Sequence, residues 1–149
     1  MDSEKKLKNY QNKQLWCECW LVSLWNAYRF FGKIPPTMGT PEYRKICEDA
    51  CCISGACFNS GIERERKRLG IKFVPGQYKL SWIKNNLPVE LSLFTKHRGY
   101  HSVLVVKTWK NKIQLANYTY GKLQWLPWSG VLELCNKREC PCSYQLSNR

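Results

Sequence analysis

QLWCECWLVSLWNAYRFFG, residues Gln14 to Gly32, carries two thiols into a dense apolar run. Between Leu15 and Phe31 only Glu18, Ser23, Asn26 and Arg29 interrupt the apolar side chains, and Gly32 stands where a helix C-terminus favours glycine. A segment apolar on nearly every side is a buried helix, not a surface one. The chain is therefore expected to fold around this helix, with Cys17 and Cys19 at its N-terminal end.

Upstream, residues 1–13 are a basic, polar lead-in. Downstream, KIPPTMGTPEYRK is a Pro- and Gly-rich loop, with Pro41 suited to the first turn of a short helix. Cys47, Cys51, Cys52 and Cys57 then cluster around Ser54-Gly55. The next stretch predicts a helix from Ser60 to Leu69, ended by Gly70 and followed by a short strand over 71–74. Its Glu63 and Glu65 come early and Arg66, Lys67 and Arg68 late, the order a helix dipole favours, and the charges are expected on a solvated face. KLSWIKNN predicts one more short helix, with Ser81 as its cap.

After Leu87-Pro88 the pattern changes. Residues 89–94, 102–109, 112–118 and 122–126 are rich in β-branched and aromatic side chains and are separated by the turns RGYH, KNK and TYG. Helices followed by an antiparallel sheet make the expected class α+β. At 149 residues one domain is expected to span 1–149, with a Cys-containing tail over 135–149.

Composition narrows the function. No window offers ~18 uninterrupted apolar residues, and the N-terminus has no apolar signal core, so a cytoplasmic protein without a membrane span is expected. The formal charge is +13. No Asp or Glu lies between Glu90 and Glu133, whereas Lys96, Arg98, Lys107, Lys110, Lys112 and Lys122 do. That third of the chain carries a positive field, which favours an acidic peptide or protein partner, with nucleic acid as the less favoured alternative. Nine cysteines without a secretion signal suit chemistry or metal more than an extracellular disulfide scaffold, although stapling by disulfides stays open. The groups 47–57 and 135–142 lack a clean CxxC pair, so no metal or cofactor is assigned.

Two histidines exist, His97 and His101. His97 sits between Lys96 and Arg98 in a turn, where solvation is expected, while His101 opens the strand HSVLVV. A Cys at a helix N-terminus beside an imidazolium can have its pKa lowered from ~8.5 by several units, which makes a ready nucleophile. Asn117, sixteen residues after His101 and across the KNK turn, is expected beside it and would orient the ring. Gln14 is placed to donate an amide N–H to a developing oxyanion.

The order Gln14, Cys19, His101, Asn117, with Cys19-Trp20 at the helix start, resembles the papain-like cysteine peptidases. The layout is closest to their compact branch, which trims double-glycine leader peptides next to bacteriocin transporters. Phe30-Phe31-Gly32, Leu69-Gly70, Pro88-Val89 and HSVLVV match that branch over roughly residues 11 to 130. The resemblance implies N-terminal helices packed on a twisted antiparallel sheet and a Cys-His-Asn triad of Cys19, His101 and Asn117, with Gln14 in the oxyanion hole. It implies thiol-dependent acyl transfer on a peptide, isopeptide or similar amide. Those families usually place the Gln six residues before the nucleophile. Gln14 is five before Cys19, whereas Gln11 is six before Cys17, so both thiols stay open, with Cys19 preferred because it precedes Trp20 and lies thirteen residues before Gly32. Trp20 replaces the usual Gly and Asn117 the usual Asp of the compact branch, which weakens the implication of a double-glycine substrate. The rival reading is a catalytically silent basic binding module on the same scaffold.

Overall fold

The computed structural model describes residues 19–35, 40–50, 60–95, 99–119, 122–134 and 143–149. Helix α1 (Cys19–Phe30) is the apolar stretch of the sequence, and Cys19 through Ala27 are all buried. Its end follows from Gly32, whose φ of 81° places it in the left-handed region. That conformation lets Lys33 N–H reach Tyr28 O at 3.1 Å and Gly32 N–H reach Arg29 O at 2.8 Å, satisfying the last carbonyls.

Helices α2 (Pro41–Ala50) and α3 (Ser60–Leu69) follow. Pro41 opens α2 as the sequence indicates, and α3 has the expected bounds, closed by Gly70 with the same pair of terminal bonds. One expectation fails on α3. Glu63 pairs with Arg66 and Glu65 with Arg68 along the helix, but Glu65 is buried, so this charge run is not a purely solvated face.

Strand β1 (Lys72–Pro75) leads to the short helix α4 (Leu80–Lys84). The position before α4 is Lys79, which makes no side-chain cap, and Ser81 lies inside the helix, so the expected Ser81 cap is corrected. Strands β2 (Val89–Thr95), β3 (Gly99–Trp109), β4 (Lys112–Thr119) and β5 (Lys122–Pro127) form the meander that the apolar and β-branched pattern predicts. Two further elements have no counterpart in the sequence reading: helix α5 (Trp128–Glu133) and strand β6 (Ser143–Ser147).

The sheet has six strands in the order β1-β6-β2-β3-β4-β5, and every neighbouring pair is antiparallel. The end of the chain thus lies inside the sheet. β6 pairs with β1 through Phe73↔Leu146 and with β2 through Glu90↔Tyr144.

Alternation along the strands divides the core into two faces. Leu104, Val106, Ala116 and Leu146 pack beneath Leu24 and Ala27 of α1. Val103, Val105, Ile113 and Leu115 face the other way, against Ile83 of α4 and Val131 of α5. A third cluster joins Cys19, Trp20, Leu21 and Trp25 of α1 to Ile62 of α3. The fold is therefore α+β, with a central helix whose first residue is Cys19. Among the described residues no helix is long and apolar enough to cross a membrane.

Candidate active site

Cys19, Ser23 and Asn26 recur at helical spacing and share one face of α1. Ser23 fixes what that face meets, because the Ser102 hydroxyl of β3 donates to its oxygen at 3.2 Å. On β2, beside Ser102, Ser92 donates to the buried carboxylate of Glu90 at 3.2 Å. A polar band, Cys19–Ser23–Ser102–Ser92–Glu90, thus runs through an otherwise apolar interface. Such a band is tolerated in low dielectric only where its groups find one another.

Cys19 is 0 % exposed. Burial pushes its thiol up to about 12, the Ser102 backbone N–H opposes that shift, and the Glu90 charge adds to it. The sign matters for stability. An unfolded thiol ionises from about 9, so the fold gains its full benefit below that pH and loses it as pH rises from about 9 toward 12. Urea unfolding at pH 8 and pH 10 should show wild type losing ~1.4 kcal/mol more per pH unit above 9 than Cys19→Ala loses. An equal loss in both proteins would show that Cys19 ionises as readily folded as unfolded.

His101 lies near the start of β3, only 3 % exposed, and pairs across the sheet with Leu93 of β2. It alternates with Ser102, so it shares the face of Val103 and Val105, opposite to the face that α1 covers. The Ser102 N–H therefore adjoins Cys19 while the imidazole lies on the far side of the strand.

Asn117 lies on β4, the strand after β3, with its side chain outside the described residues. β3 and β4 are neighbouring antiparallel strands, paired from Leu104↔Ala116 to Trp109↔Lys112, so His101 and Asn117 lie on adjacent strands beyond the Leu104↔Ala116 pair.

Gln11, Gln14, Cys17, His97, Lys96 and Arg98 lie outside the described residues, as do Cys51, Cys52, Cys57, Cys135, Cys140, Cys142 and the side chain of position 47. The disulfide and metal readings of those cysteines fall there too. Among the described residues, no group of three or more His, Cys, Asp or Glu is placed to hold a metal ion. Sequence reading missed the buried carboxylate of Glu90, whose only signal is an acidic residue at an alternating position of the apolar strand VELSLF.

No protein-family model and no curated protein matches the sequence. The fold does have a solved counterpart. The peptidase domain of Streptococcus ComA, a bifunctional ABC transporter involved in quorum sensing, superposes with a TM-score of 0.68 at 12% identity. The match covers 94% of this chain and 99% of that domain. Six antiparallel strands with helices packed on them are thus the fold of a papain-like peptidase domain.

Proposed function

We propose that this chain is a papain-like cysteine peptidase or a related thiol-dependent acyl-transfer enzyme, acting on a peptide, isopeptide or similar amide. One observation carries the reading: a buried helix presents its thiol-bearing N-terminal end to β3, the strand near whose start His101 lies, within a peptidase-domain fold. In this reading His101 takes the thiol proton and returns it to the leaving amine, and Asn117 orients the ring.

Two thiol and glutamine pairs compete for the attack, Cys19 with Gln14 and Cys17 with Gln11. The burial of Cys19 and its raised pKa weigh against a thiolate at neutral pH. They support Cys17 as the nucleophile and Gln11 as the oxyanion donor, and leave Cys19 a buried thiol outside the reaction. The six-residue spacing from Gln11 to Cys17 agrees. The charge of +13 favours acidic residues in the substrate.

A mass spectrum after brief exposure of the folded protein to a peptide-like, thiol-directed electrophile tests this. A single adduct on Cys17 is expected. An adduct on Cys19 would restore Cys19 and Gln14 to the roles that the motif order assigns them. Absence of any fast adduct would overturn the enzyme reading and leave the second one, a silent peptidase-like binding module, which the inert environment of Cys19 favours.

A further inference from the structure

The far end of the sheet carries a surface that acyl transfer does not use. In the β3–β4–β5 register, Lys107 pairs with Gln114 and Gln114 with Trp125, and Trp109 pairs with Lys112 and Lys112 with Pro127. Directly paired residues share a face, and so do residues two apart, so these two rows form one patch. The alternate positions Ile113 and Leu126 turn to the opposite face, into the core beneath α5.

The patch is open. Trp109 is 62 % exposed and Trp125 39 %. Lys107, Lys110 and Lys112 are exposed around them, and the Lys110 ammonium lies 5.7 Å from the centre of the Trp109 ring. With one strand, β4, between them and a two-residue offset, the indoles are roughly 12 Å apart. No carboxylate in the sequence between Glu90 and Glu133 offsets the lysines. Glu133 belongs to α5, on the other face of the sheet.

We propose that this patch binds single-stranded nucleic acid. Two exposed indoles are flat, sequence-tolerant stacking surfaces, and the lysines around them supply the positive charge that a phosphate backbone needs. An acidic peptide would need the lysines but gives no reason for two large exposed rings. A duplex satisfies the lysines but keeps its bases stacked inside.

The test is fluorescence anisotropy with a fluorescein-labelled oligothymidylate of about a dozen nucleotides, on the full chain. Binding is expected at low salt, with log K falling against log salt with a slope of about −2 if three phosphates are neutralised. Trp109→Ala and Trp125→Ala should each weaken it on the order of tenfold. Lys110→Ala with Lys112→Ala should flatten the slope to about −0.7. All four side chains are exposed, so the variants should keep the wild-type thermal midpoint, and Cys17→Ala should bind as wild type does. No binding at low salt would overturn the proposal. So would tryptophan variants that bind unchanged, a duplex that binds as tightly, or polyglutamate that competes equally, the last pointing to an acidic protein.

Discussion

His101→Ala is expected to change the pH profile of the reactive thiol and to lower amide turnover by roughly 10²- to 10⁴-fold. The two effects have separate origins. Without the imidazolium, the thiol returns toward its ordinary pKa of ~8.5, so alkylation should climb about tenfold per pH unit from pH 5 to 8. With the imidazolium in place the thiolate is present throughout that range, and the wild-type profile should be nearly flat. A rate at one pH is a poor readout. At pH 6 a thiol of pKa ~4 has about 300-fold more thiolate than one of ~8.5, but lower basicity costs about a hundredfold in nucleophilicity. Turnover suffers further because the leaving amine loses its proton donor. An unchanged profile in the variant would remove His101 from the site. A variant with a flattened sheet would mislead, so the thermal midpoint must be measured beside it: His101 is buried and its neighbours Val103 and Val105 are core.

The part of this site that could be read from the sequence is the part fixed by local pattern. Trp20 to Ala27 are apolar enough to define α1 wherever they occur, and Gly32 and Gly70 announce helix ends because few other residues accept their φ. The strands β2 to β5 follow one another through tight turns, so alternation and turn residues suffice to place His101 and Asn117 on neighbouring strands. Strand β6 could not be read in this way. SYQLS is short and half polar, and its place between β1 and β2 comes from pairings with residues more than fifty positions away. Burial of charge was equally illegible. Glu65 sits in SGIERERKRL, where every neighbouring charge suggests solvent, and only the indole forty residues earlier explains why it turns inward. The environment of Cys19 belongs with these. The motif order marks it as a nucleophile, while Ser102 and Glu90, which set its chemistry, come from distant strands.

That indole carries the largest stability effect expected in the molecule. Trp25 is fully buried, packs with Cys19, Trp20, Leu21 and Ile62, and its Nε1–H donates to Glu65 Oε2 at 2.8 Å. Arg68 grips the same carboxylate with two nitrogens, although its side chain is half exposed, so solvent screens that pair. The indole bond is the buried one, and it ties α1 to α3. Trp25→Ala should cost about 3–5 kcal/mol, from lost burial, the cavity and a carboxylate left with one partner fewer. For a domain whose whole stability is of order 5–15 kcal/mol, that lowers the thermal midpoint by roughly 10 °C or more. Trp25→Phe separates the causes. It keeps most of the ring and removes the donor, and should cost about 1–2 kcal/mol. A loss as large as that of the alanine variant would mean that the hydrogen bond, not the packing, holds the helices together. No loss in the phenylalanine variant would mean that Arg68 alone satisfies Glu65. Thiol reactivity then shows what the tie does for the site. If α1 is held in place by Trp25, the phenylalanine variant should keep the flat alkylation profile of wild type below its midpoint. The alanine variant should lose it at temperatures where the sheet is still folded by circular dichroism, because the N-terminal end of α1 is no longer fixed against β3.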